Sequence, residues 1–193
     1  MVRYFVFAAI GTVALFSAAT ADVSSGVVVY RQGDYAAAMR EMLPLAEAGD
    51  STAQYYVGAM YEAGLGVDQS YEEALKWYRG AAEQGLVMAQ YHLGVLYETG
   101  EGIAKNHATA VGWYVRAAEQ GYSPAQSNLG NLYLRGGWGL ETNPSEAHVW
   151  FSLAEDRNFP GAKEMRMCTE SLLSRDEISE AEGLARDRER TIP

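Results

Sequence analysis

At 193 residues the chain has room for one domain, and its 25 Asp+Glu against 15 Lys+Arg give a formal net charge of -10. That balance excludes the basic face that neutralises nucleic-acid phosphates and the polybasic segments drawn to anionic membranes. A single cysteine, Cys168, excludes an internal disulfide and a zinc site built on paired cysteines, while thirteen Tyr and four Trp exclude disorder over most of the length.

Residues 1–21 carry one positive charge, Arg3, an uncharged run from Tyr4 to Phe16, and a closing Ala19-Thr20-Ala21. This is the tripartite pattern of a secretory signal peptide. Cleavage is expected after Ala21, giving a periplasmic or secreted chain from Asp22 with no stable membrane insertion. The alternative is an uncleaved anchor, for which the run is short, since a span needs about 20 apolar residues. A short helix follows within residues 22–33.

From residue 34 onward the chain repeats itself. WYRGAAEQG at Trp77–Gly85 returns as WYVRAAEQG at Trp113–Gly121, 36 residues later. Gly58, Gly94 and Gly130 keep that period, as do Tyr61, Tyr97 and Tyr133. Trp150 follows Trp113 by 37, the extra residue falling in the RGGWGLETN loop. A fixed period in this range signals stacked supersecondary units. The expected division is a half repeat over 34–52 and full repeats over 53–88, 89–124 and 125–161.

Each unit reads as two helices. In the first unit Ala53, Tyr56, Val57, Met60 and Tyr61 share one face, and Gly64 and Gly66 end the helix. A second helix runs from Tyr71 to Gln84, with Ala74, Trp77, Tyr78 and Ala81 on one side. Gly85 ends it, as Gly121 and then Asn158 do in the next units. The half repeat is a helix from Asp34 to Ala48 that Pro44 should kink or deprive of one hydrogen bond. The mid-helix Gly58, Gly94 and Gly130 predict close approach of the paired helix, with alanines such as Ala74 and Ala81 facing them. Trp77, Trp113 and Trp150 are expected in the core, and Cys168 buried as a small apolar side chain. Residues 162–193 form a capping helix pair, the second opened by the capping-box pattern Ser174-Arg175-Asp176-Glu177. The fold class is all-α: an α-solenoid of antiparallel helix hairpins closed by that C-terminal pair.

The unit Ala-x-x-x-Leu-Gly-x-Leu-Tyr-x-x-Gly-x-Gly, followed by Ala-x-x-Trp-Tyr-x-x-Ala-Ala-x-x-Gly, resembles the Sel-1-like repeat, a 36-residue relative of the tetratricopeptide repeat. Leu93, Gly94, Leu96, Tyr97, Gly100, Gly102, Ala110, Trp113, Tyr114, Ala117, Ala118 and Gly121 carry the match. The third unit departs at Trp138, Phe151, Glu155 and Asn158. The resemblance implies a non-catalytic adaptor with a protein or peptide partner. Cysteine-rich members were linked to β-lactam binding or hydrolysis, but this chain lacks their cysteine pairs.

No catalytic constellation, cofactor motif or metal motif emerges. His92, His107 and His148 fall in different units, and no H-E-x-x-H, S-x-x-K or G-x-S-x-G is present. Gly64-Leu65-Gly66 and Gly100-Glu101-Gly102 follow helices, so they read as helix-ending turns. By resemblance to tetratricopeptide proteins, the first helix of each unit lines a concave face. That places Tyr55, Ala59 and Glu62, then Tyr91, Val95 and Glu98, then Ser127, Asn131 and Leu134 in a partner groove. Tyr55 and Tyr91 serve equally well as packing between helices. Trp138, in the lengthened loop, is either an exposed hot spot or folds back over the third hairpin. The rival function is a cell-wall-ligand binder, for a peptidoglycan fragment or β-lactam, or a weak β-lactam hydrolase using Glu62 and Glu98.

Overall fold

The computed structural model describes residues 22–192. The expected signal segment, residues 1–21, lies outside the described residues, as does Pro193. Ten helices follow in chain order: α1 Val23–Arg31, α2 Tyr35–Glu47, α3 Ser51–Ala63, α4 Tyr71–Glu83, α5 Val87–Thr99, α6 His107–Glu119, α7 Ser123–Arg135, α8 Pro144–Asp156, α9 Ala162–Glu170 and α10 Arg175–Glu189.

The helix starts are chemically marked. Asp22, Asp34, Asp50, Ser70, Asn106, Asn143 and Ser174 each accept a hydrogen bond from a backbone N–H of their helix's first turn, which relieves an orphan donor there. Ser174 and Glu177 form the anticipated reciprocal capping box. Gly64 and Gly100 close α3 and α5 at φ 66 and 74. At the ends of the second helices, Gly85, Gly121 and Asn158 take φ 92, 82 and 55. The next N–H, from Leu86, Tyr122 or Phe159, then reaches back to the carbonyl of Ala81, Ala117 or Ala154. Asparagine serves there because its short polar side chain tolerates the left-handed region. Pro44 sits in the last turn of α2, exposed, and the helix runs on to Glu47.

Packing is between neighbours in sequence. The hairpins α3–α4, α5–α6 and α7–α8 pair most extensively, and each joins the next through α4–α5 and α6–α7. α1 and α2 cover one end, α9 and α10 the other, both against α8. The core accordingly falls into consecutive clusters around Met42 and Val57, around Tyr78 and Leu93, and around Tyr114, Leu129 and Leu153.

Three expectations change. What Gly58, Gly94 and Gly130 accommodate is an aromatic ring of the paired helix. An added Cβ would lie 2.9 Å from Tyr78, 2.5 Å from Tyr114 and 2.6 Å from Phe151. Of the facing alanines, Ala74 adds its carbonyl oxygen 3.3 Å from a Cβ at Gly58, while at Gly94 and Gly130 the nearest atoms all belong to the ring. Tyr78, Tyr114 and Phe151, each 0% exposed, are therefore the large core residue of each unit. The preceding tryptophans lie at the margin. Trp77 and Trp113 are half-buried with Lys76 Nζ and Arg116 Cζ 5.1 and 4.6 Å from their ring centroids. Only Trp150 is buried, under Arg188 at 4.7 Å. Finally, Cys168 is exposed, because α9 is the outermost layer and turns Ala162 and Thr169 inward instead.

Candidate functional site

The predicted groove positions lie along α3, α5 and α7. Tyr55 on α3 places its hydroxyl 3.2 Å from His92 Nε2 on α5. Its ring packs against Tyr56, Tyr78 and His92. Glu62, in the last turn of α3, accepts a 2.5 Å hydrogen bond from the Tyr78 hydroxyl, and its Oε2 lies 3.8 Å from His92 Nδ1. Tyr91 and Glu98 repeat the arrangement. Tyr91 packs against Tyr114 and Tyr122, and Glu98 accepts from the Tyr114 hydroxyl. Tyr55 and Tyr91 are both half-buried, so each packs between helices while keeping an exposed edge.

Burial sets the electrostatics. It pushes the Tyr55 hydroxyl up to about 12, with help from neighbouring tyrosines and Glu62. It raises Tyr78 and Tyr114 further, reinforced by the carboxylates that need those protons. Burial lowers His92, an effect that nearby Glu62 opposes. The result is a row of neutral phenols and a neutral imidazole around two carboxylates.

The third unit breaks the pattern. Ser127 is buried at 8% exposure, and its carbonyl accepts from Asn131 Nδ2 at 3.0 Å. Leu134 stands where Glu62 and Glu98 stand, and Phe151 where Tyr78 and Tyr114 stand. Carboxylate and hydroxyl vanish together, which identifies them as one structural pair. Val95 packs against the core beside Tyr91. Trp138 folds back, but onto the second unit: its ring stacks on His107 with centroids 4.3 Å apart. It also borders a pocket of ≈ 370 Å³ with Glu98, Tyr114, Asn128, Asn131 and Arg135.

Sequence reasoning missed His92, Asn128 and Arg135 as members of this face. The signal for the first two was present: Tyr56, His92 and Asn128 occupy one repeat position, polar each time, immediately before a buried residue. The face offers aromatic edges, amides and carboxylates suited to binding. Among the described residues, no group of three or more metal-ligating side chains gathers, and no helix is long and apolar enough to cross a membrane.

The Sel1 repeat family model matches residues 51–86, 87–122 and 123–159, each starting where α3, α5 or α7 starts. A Sel1 repeat protein from Oxalobacter formigenes is similar in structure, with 38% identity and a TM-score of 0.67 over 70% of this chain. The chain spans 55% of that protein's solved length. A protective antigen of uropathogenic Escherichia coli strains, c5321, displaying an SLR fold, is 24% identical over 91% of this chain and 55% of its own, with a TM-score of 0.46. No curated protein matches the chain. Sel1 repeats generally form a protein-interaction fold. With three consecutive matches over most of the described helices, each in register with a helix hairpin, the chain belongs to the Sel1 repeat family.

Proposed function

We propose that this protein is a periplasmic or secreted, non-catalytic adaptor that holds a protein partner on the face formed by α3, α5 and α7. The observation that carries the reading is the preorganised row of Tyr55, Glu62, His92, Tyr91 and Glu98. Each carboxylate accepts a tyrosine hydroxyl through Oε2, which fixes its place on the face. Half-buried tyrosines beside fixed carboxylates favour a basic or neutral segment, through contact area and cation–π attraction. The composition of residues 1–21 supports export. The carboxylates a hydrolase would need are engaged by the Tyr78 and Tyr114 hydroxyls, which weighs against the rival reading.

The test is crosslinked capture from the native host, with a tagged chain running from Asp22 to Pro193. Wild type should recover one dominant protein. Tyr91→Ala, checked by circular dichroism for retained helix, should lose most of it. Equal recovery by the folded variant would remove the groove assignment.

A further inference from the structure

The third unit's departures from the repeat converge on one place. Asn128 replaces Tyr56 and His92, Asn131 replaces Ala59 and Val95, and Arg135 replaces Ala63 and Thr99. All three border the ≈ 370 Å³ pocket at the α7 end of the face, a volume within the range of small-ligand sites. Glu98 and Tyr114 of the second unit and Gly136 and Trp138 of the lengthened loop also line it. In the first two units, Gly66 and Gly102 press on Tyr35 and Tyr71, the first residues of α2 and α4. The equivalent residue of α6 is His107, and there Trp138 stacks instead. Trp138 does so at φ 57, in the left-handed region that non-glycine residues rarely adopt. A large aromatic held in a left-handed turn, beside three residues that break the repeat, marks a specialised site.

The charges of the pocket are opposed and separate. Arg135 is exposed, and among the described residues neither it nor Glu98 forms an ion pair. Glu98 engages the Tyr114 hydroxyl through Oε2 only. Asn131 donates to Ser127 through Nδ2, keeping Oδ1 as an acceptor. The pocket lining therefore offers a carboxylate with an amide acceptor, a guanidinium at the end of α7, and the indole of the following loop.

We propose that this pocket binds a short zwitterionic peptide: its ammonium at Glu98 and the Asn131 amide oxygen, its terminal carboxylate at Arg135, and the C-terminal side chain, apolar or aromatic, against Trp138. A guanidinium pairs a carboxylate in fork geometry. The site shares Glu98 with the adaptor face but needs no protein partner, so neither proposal stands on the other.

The probe is the dipeptide Ala-Phe, titrated calorimetrically into the chain from Asp22 to Pro193. N-acetyl-Ala-Phe, Ala-Phe-amide and Phe-Ala serve as comparisons. Ala-Phe should bind, each blocked form should bind at least ~10-fold more weakly, since every 1.4 kcal/mol is tenfold, and Phe-Ala should rank below Ala-Phe. Arg135→Gln should weaken Ala-Phe while leaving Ala-Phe-amide unchanged. Trp138→Gly, which suits the left-handed turn and is checked by circular dichroism for retained helix, should weaken Ala-Phe. No heat with Ala-Phe at millimolar concentration would overturn the proposal, as would equal binding of both blocked forms. Loss of binding on amidation alone would also overturn it, in favour of a simple carboxylate site.

Discussion

Two glycines show how one residue type carries opposite meanings in this chain. Gly94 lies against the Tyr114 ring, with no room for a methyl group. Gly112, in the interior of α6, has nothing within 4 Å of an added Cβ. Alanine is the better helix former by about 1 kcal/mol, so Gly112→Ala should stabilise the protein by about 0.5–1 kcal/mol. Gly94→Ala gains the same propensity but must push a core ring aside, so it should cost about 1–3 kcal/mol net. Urea unfolding of the two variants should move the midpoint in opposite directions. A second residue-scale pair is Glu98 with Tyr114. Tyr114→Phe leaves the carboxylate without its donor and should cost about 1–2 kcal/mol. Adding Glu98→Leu, the combination present as Leu134 and Phe151, should recover part of that loss. Additive effects in the double variant would show that the two do not act as a pair.

At the scale of helices, the junction of α8 and α9 rests on a buried polar contact. His148 is 0% exposed, and its Nδ1 lies 2.9 Å from Thr169 Oγ1. The Thr169 hydroxyl donates to the Arg166 carbonyl at 2.6 Å, so its oxygen accepts the Nδ1 proton. Nε2 is buried with no hydrogen-bond partner among the described residues. Burial and then nearby Arg166 hold this imidazole below its ordinary value. The unfolded chain therefore binds a proton that the folded chain resists. Stability from this site is fully present above about pH 6.5, the unfolded value, and falls as pH drops below it. His92, also lowered by burial, acts in the same direction. Unfolding free energy measured between pH 7.5 and 5 should decline, and His148→Leu, which places the Leu75 residue type there, should flatten the slope. An unchanged slope would mean that His148 does not supply it.

For the molecule as a whole, cohesion passes from neighbour to neighbour, as in other stacked repeats. α10 closes the far end through Arg188, which grips Glu146 at 2.8 and 3.0 Å, and through Glu189, which accepts from Arg157 at 2.7 Å. Removing residues 174–193 should expose Trp150 and speed amide exchange in α8 while leaving α3 protected. Uniform loss of protection would show a single cooperative unit instead. This one-dimensional plan was legible in the sequence because glycines, tyrosines and tryptophans recur at one spacing, and spacing fixes the hairpins. The interior was less legible. Adjacent Trp113 and Tyr114 are both large and aromatic, and one helix face cannot decide which of them meets Gly94 on the paired helix. Cys168 was misplaced because outside the repeat no periodic partner indicates which side faces inward. On the candidate face, Tyr55, Glu62, Tyr91 and Glu98 could be placed along α3 and α5 by register, but the Tyr78 and Tyr114 hydroxyls that bond the carboxylates come from the other helix of each hairpin.

A ladder of glutamine amides runs along the stack. Gln54, Gln90 and Gln126 donate to the carbonyls of Ala46, Ala82 and Ala118 at 3.1, 3.2 and 3.1 Å. Gln84 and Gln120 in turn donate to the side-chain oxygens of Gln54 and Gln90 at 2.9 and 2.7 Å. Among the described residues Gln126 Oε1 has no such donor, because Arg157 stands in the place of Gln84 and Gln120 and turns to Glu189. The array therefore has a growth point and a terminus. A further copy of residues 87–122 inserted before Ser123 would renew every rung, whereas duplicating the third unit would propagate the broken one. Any lengthening of this protein, by evolution or by design, belongs in the middle of the stack.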